Sequence, residues 1–107
     1  MKKGAEGDIR VAAVKDIAAD RPFCAKAGGK ELAVFKSEGK YYALANACSH
    51  AGGPLCQGLI EGGEVVCPWH GSKFRIKSGE VVHGPAVKGV DTFELEVRGD
   101  DLYLKKL

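Results

Sequence analysis

The most constraining feature of the chain is a pair of short thiol–imidazole motifs. The first is Cys48-Ser49-His50. Sixteen residues later comes the second, Cys67-Pro68-Trp69-His70. Each motif offers one sulfur and one imidazole, and a single metal centre can use all four only if the two segments lie side by side. Any fold for this chain must therefore bring two separate loops together and hold them there.

The segment between the motifs shows how. Leu59-Ile60 and Glu64-Val65-Val66 flank Glu61-Gly62-Gly63, and the whole reads as a hairpin. Its second strand flows directly into Cys67, so one hairpin carries a loop at each base. Residues 48–58 contain Gly52, Gly53, Pro54 and Gly58 and are too broken for a helix or a ladder.

The rest reads as strands. Residues 8–14 form an edge strand and 23–26 a second. An alternating third strand at 31–36 turns through residues 37–40 into a fourth at 41–45. Residues 74–76 and 81–83 form a further hairpin about Lys77-Ser78-Gly79. Residues 90–107 read as one terminal hairpin, in which Phe93, Leu95 and Val97 alternate with Glu94, Glu96 and Arg98. Phe35, Tyr41, Tyr42 and Phe93 are assigned to the core. No internal repeat and no long helix is seen. The expectation is one all-β domain over residues 1–107: a small antiparallel β-sandwich or barrel with a hairpin-borne cluster-binding subdomain inserted at about 46–75.

Composition removes several function classes. The net charge is +2, with 16 basic and 14 acidic residues interleaved. This gives no basic face for a nucleic acid. Residues 1–8 lack a signal-peptide core, and no stretch approaches the roughly 18 apolar residues of a membrane span. The chain is thus expected to be cytoplasmic, with no membrane or nucleic-acid partner. Cys24 and Cys56 fall outside the motifs and are read as free, small buried hydrophobes. A disulfide between them finds no support in a cytoplasmic protein.

Two thiolates and two imidazoles suit a [2Fe–2S] cluster in which two Cys hold one iron and two His the other. Zinc takes the same ligand types. Its motifs usually place two residues between paired ligands, whereas Cys48 and His50 are separated by one. Glycine-rich loops can also wrap something bulkier than one ion, offering N–H donors without side-chain clash. Zinc and ordinary buried Cys and His remain open on spacing alone.

The segments Cys48-Ser49-His50-Ala51-Gly52-Gly53-Pro54-Leu55 and Cys67-Pro68-Trp69-His70-Gly71-Ser72-Lys73-Phe74 resemble the Rieske family. The nearer likeness is to soluble Rieske-type [2Fe–2S] ferredoxins, the electron carriers of bacterial multicomponent oxygenases. Gly84-Pro85-Ala86 fits the same pattern. The resemblance implies that Cys48 and Cys67 hold an inner iron. It implies that His50 and His70 hold an outer iron through Nδ1, with Nε2 towards solvent. Around them it places Gly53, Trp69, Gly71, Ser72 and Phe74. Membrane-bound respiratory relatives carry an extra loop disulfide, where this chain has Gly53 and Trp69, and a tyrosine where it has Phe74. Their loop serine is present as Ser72.

The implied activity is one-electron transfer by a monomeric carrier, from an NAD(P)H-dependent flavin reductase to a terminal oxygenase. The alternative is a small subunit fixed in a larger oxidoreductase complex, such as a nitrite reductase. A terminal oxygenase needs a mononuclear iron on two His and a carboxylate. After the four ligands only His83 remains, and His83 is read as a surface or core histidine. Trp69 is read as a shield that packs over the cluster rather than as an electron relay.

Overall fold

The computed structural model describes residues 9–49 and 52–105, and those residues build eleven short strands. The N-terminal eight residues, His50, Ala51 and the last two residues lie outside the described set. The reading of residues 1–8, the His50 ligand and the end of the last hairpin therefore fall beyond it.

The strands are β1 (Ile9–Ala13), β2 (Phe23–Ala27), β3 (Lys30–Ser37), β4 (Lys40–Ala45), β5 (Leu59–Glu61) and β6 (Glu64–Val66). They continue as β7 (Lys73–Arg75), β8 (Val81–His83), β9 (Thr92–Phe93), β10 (Leu95–Arg98) and β11 (Asp101–Leu104). Every pairing is antiparallel. They form three sheets, in the orders β1-β11-β10, β2-β3-β4-β9 and β5-β6-β7-β8.

The middle sheet separates two cores. Leu32 and Val34 of β3 face Ala12, Leu102 and Leu104 of the first sheet. Ala33 and Phe35 of the same strand face Val65, Phe74, Ile76, Cys48 and Cys67 on the other side. All four β3 residues are fully buried. Leu32-Ala33-Val34-Phe35 is accordingly a continuous apolar run, as a strand covered on both faces requires, not the half-exposed alternation read from residues 31–36. The sandwich is β1-β11-β10 on the middle sheet. The inserted unit is the β5–β8 sheet, which extends past residue 75 to His83.

The terminal segment also departs from expectation. Residues 90–107 do not form a single hairpin. Thr92 and Phe93 pair with Leu44 and Ala43 in the middle sheet, and the chain crosses at Glu94 into β10. Only β10 and β11 form the hairpin, in register from Leu95↔Leu104 to Arg98↔Asp101. A period-2 pattern continues unbroken through such a crossing, because it reports which face is buried and not which sheet the strand joins.

Cys24 and Cys56 are not free thiols. They are joined in a disulfide across a sequence separation of 32, and Cys24 is exposed rather than buried. A 3₁₀ turn, Leu55–Gln57, presents Cys56 to β2. Tertiary placement of that turn, invisible in the spacing, brings the two sulfurs together.

Among the described residues no helix is long and apolar enough to cross a membrane.

Candidate metal centre

The two Cys loops are built on one backbone scheme. In the first, the Cys48 N–H donates to the Gly53 carbonyl at 2.9 Å, and the Gly52 N–H donates back to the Cys48 carbonyl at 2.8 Å. In the second, the Cys67 N–H donates to the Ser72 carbonyl at 2.8 Å, and the Gly71 N–H to the Cys67 carbonyl at 3.1 Å. The fourth residue after each cysteine carries a positive φ, +78° at Gly52 and +80° at Gly71. A side chain there would be strained, so the ring closes only on glycine. The short repeat Cys-x3-Gly is thus present in the sequence, although the reading above finds no repeat. Its signal is the backbone ring, with only the glycine to announce it.

Neighbouring strands aim the loops at each other. The first loop leaves β4 and the second joins β6 to β7, and a bridge between Ala47 and Pro54 closes the base of the first. Gly53 then lies against the second loop. A Cβ added to it would stand 2.8 Å from Cys67 Sγ and 3.0 Å from the Trp69 ring. Trp69 covers this contact from outside while remaining 57% exposed. It packs over the loops as a lid on one side rather than sealing the site.

A third segment straps both loops. The Ala86 N–H donates to Ser72 Oγ at 2.9 Å, and Ser49 Oγ donates to the Lys88 carbonyl at 2.5 Å. Gly84-Pro85 in this segment is a cis peptide. Sequence reading linked Gly84-Pro85-Ala86 to the family pattern but missed its hydrogen bonds. It also missed Asn46. Asn46 is buried, its Oδ1 accepts the Cys56 N–H at 2.8 Å, and its carbonyl accepts the Leu55 N–H at 2.8 Å.

Cys48 and Cys67 come together as free, buried thiols, 3% and 2% exposed. Burial pushes the Cys67 thiol above its ordinary range, and the adjacent Cys48 adds to this. The backbone N–H groups of Trp69 and His70 point at the Cys67 sulfur and pull the other way. Such amide donors around a desolvated sulfur suit a thiolate once a cation supplies the missing positive charge. His70 follows on the same loop and is exposed. No three His, Cys, Asp or Glu side chains among the described residues are placed to share one ion.

Of the remaining predicted residues, Ser72 is fully buried. It spends an oxygen lone pair on Ala86, and its own O–H finds no acceptor among the described residues. Phe74 is fully buried beside both cysteines and has no polar atom to offer. His83 lies exposed on β8 and pairs with Lys73, outside both Cys loops in sequence.

Comparison with known proteins agrees with this geometry. A family model, the Rieske [2Fe-2S] domain, matches residues 7–94. The ferredoxin component of the naphthalene 1,2-dioxygenase/salicylate 5-hydroxylase systems of Ralstonia sp is 31% identical over 97 residues, covering 91% of this chain and 93% of that protein. Human apoptosis-inducing factor 3 is 30% identical over 98 residues; the match takes in 92% of this chain but only 16% of that protein. Among solved structures, the ferredoxin of carbazole 1,9a-dioxygenase from Nocardioides aromaticivorans IC177 superposes with a TM-score of 0.87 at 26% identity, covering 94% of this chain and 98% of that one. A ferredoxin solved in complex with the oxygenase of carbazole 1,9a-dioxygenase gives a TM-score of 0.81 at 27% identity, with 89% and 98% covered.

Proposed function

This chain belongs to the Rieske [2Fe-2S] domain family, and we propose that it is an electron carrier of an oxygenase system, itself without catalytic residues. One observation carries the reading. Two buried thiols meet at the base of twin loops, and the tip of the second loop, with Trp69 and His70, faces solvent.

The residues fit the cluster. Cys48 and Cys67 would hold the inner iron as thiolates, and His50 and His70 the outer iron through Nδ1. Zinc takes the same donor types, but the Rieske [2Fe-2S] family model that matches residues 7–94 favours the cluster at these four residues. The [2Fe–2S] group, when bound, takes up and releases one electron.

The protein supplies the rest. Buried Cys48 and Cys67 keep water from the inner side. Gly53 lets the second loop approach closely, and Gly71 closes that loop. Ser72 would offer its O–H to the cluster, and Phe74 fills space without donating. With one such donor and no loop disulfide, the potential belongs in the low part of the roughly −150 to +300 mV Rieske range.

The acceptor is a terminal oxygenase and the donor an NAD(P)H-dependent flavin reductase, each docking on the exposed tip. The carrier acts as a monomeric single domain in the cytoplasm, with residues 46–75 as its cluster-binding part. The match to 16% of a much longer human protein favours a second reading, a Rieske module fixed within a larger assembly. A carrier purifies alone and turns over between partners, whereas a fixed module co-purifies with the rest.

The test is spectroscopic and analytical. Protein purified in air should be red-brown, with about two irons and two sulfides per chain. Replacing His50 or His70 by Cys should shift the visible spectrum towards an all-thiolate type or abolish the cluster. A colourless protein holding one zinc would overturn the reading.

A further inference from the structure

We propose that Cys24 and Cys56 form a second, two-electron redox site that clamps the Cys48 loop to the middle sheet and governs how firmly the cluster is retained. The retention part rests on the cluster reading above; the existence of the redox site does not.

Backbone contacts that involve neither sulfur set the pair in place. Asn46 ends β4, and its own N–H donates to the Glu31 carbonyl at 3.1 Å. It then receives the N–H groups of both Leu55 and Cys56. This pins the 3₁₀ turn that follows the Cys48 loop against β3, one strand from Cys24. Ala33, which pairs with Cys24 across the ladder, lies in the same core as Cys56. The Cα atoms end 4.9 Å apart, within the roughly 4.4–6.8 Å that a disulfide spans.

The two sulfurs differ in access. Cys56 is 8% exposed, whereas Cys24 is exposed on edge strand β2. A shallow hollow lined by Cys24, Ala25, Lys26, Glu31 and Asn46 leads to it. An incoming thiolate can therefore reach the Cys24 sulfur, with the Lys26 ammonium nearby to favour its charge. Attack by one thiolate of a dithiol reductant breaks the S–S bond, leaves a mixed disulfide on Cys24, and releases Cys56 as a thiolate that takes a proton. The second thiol of the reductant then displaces Cys24 as a thiol. Two electrons and two protons have passed to the protein, and the reductant leaves as a disulfide. Disulfides that do occur among intracellular proteins are commonly of this switching kind.

The bond matters to the cluster because of what it ties. Cys48 lies eight residues before Cys56 in sequence, and the intervening loop has few side chains to anchor it. With the bond closed, both ends of that loop are fastened to the middle sheet. With it open, the Asn46 hydrogen bonds, the Ala47–Pro54 bridge and the packing of Leu55 are left to hold the far end.

The experiment uses the holoprotein. Alkylation under denaturing, non-reducing conditions counts free thiols, and visible absorbance in the presence of a chelator follows cluster loss. Only Cys48 and Cys67 should be alkylated in oxidised protein, and all four cysteines after treatment with dithiothreitol. Reduction should speed cluster loss about tenfold, the effect of some 1.4 kcal/mol of lost restraint. Cys24→Ser, a change at an exposed position, should lose its cluster at the fast rate with or without dithiothreitol. This variant also separates loss of the clamp from attack of the reductant on the cluster. Four alkylated cysteines in air-oxidised protein would overturn the redox site. Equal loss rates before and after reduction would overturn the clamp. The thiol count reads the bond whether or not a cluster is present, so a failed cluster assignment would show separately, as absence of colour.

Discussion

Removing the Ser72 hydroxyl should lower the reduction potential and loosen the strap, and the two effects can be measured apart. Ser72 is fully buried, and its Oγ accepts the Ala86 N–H at 2.9 Å. Its O–H is the donor proposed above to face the cluster. A hydrogen bond to a charged acceptor contributes about 1.5–3 kcal/mol. Only the part that differs between oxidation states moves the potential, because the reduced cluster is the more negative. Taking half as differential leaves ~0.75–1.5 kcal/mol. With about 59 mV per tenfold change for one electron, Ser72→Ala should fall by ~30–65 mV. The same change strands the Ala86 N–H in a buried site, which costs about 1–3 kcal/mol. Protein-film voltammetry reads the first effect. Denaturant unfolding, with hydrogen exchange at Ala86, reads the second. A variant whose Ala86 amide exchanges faster while its potential stays put would show that the serine serves the strap and not the cluster.

Three other expectations follow from the same contacts. Gly53→Ala puts a methyl 2.8 Å from Cys67 Sγ; Cys67 can turn away in the apo-protein but not when ligating, so iron content should drop while apo stability changes little, as metal analysis and chemical denaturation would show. Phe74→Tyr adds a hydroxyl beside both cysteines and should raise the potential by tens of millivolts relative to the wild type, a shift that voltammetry would detect and whose absence would place the hydroxyl out of reach of sulfur. Removing the cluster should abolish hydrogen-exchange protection in the two loops, residues 48–54 and 67–72, which lean on the metal, while the β5–β6 ladder and the β10–β11 hairpin keep theirs; equal loop protection with and without cluster would refute this.

The parts of this molecule legible in its sequence are those in which chemistry or local geometry demands a residue type. Cys48, Cys67 and His70 stand out in the sequence because thiolates and imidazoles are the side chains that a [2Fe–2S] cluster of this kind takes as ligands. The β5–β6 hairpin is marked by Gly62-Gly63 between apolar runs. What escapes is set by partners far along the chain. The alternation through Phe93 and Leu95 is real, but nothing in it tells that the first pairs with β4 and the second with β11. That Leu32 to Phe35 is covered on both faces is invisible locally, because the sheet that covers its second face arrives thirty residues later. The Cys24–Cys56 bond depends on Asn46, a polar residue that looks in sequence like any strand end. Each of the twin loops is closed on itself by main-chain atoms, which leave little trace beyond Gly52 and Gly71.

The two sides of the metal centre are unequally open: Cys48 and Cys67 are 3% and 2% exposed, while Trp69 is 57% exposed with His70 beside it. If donor and acceptor both dock on this open tip, as proposed above, the carrier cannot sit between them at the same time. Each must vacate before the other arrives, so the two compete, and excess oxidised acceptor can slow reloading by occupying the carrier. Turnover then depends on how quickly each encounter ends as much as on how quickly it begins. Binding either partner too tightly would throttle the flow, and the most effective docking surface for this protein is one that holds its visitors only briefly.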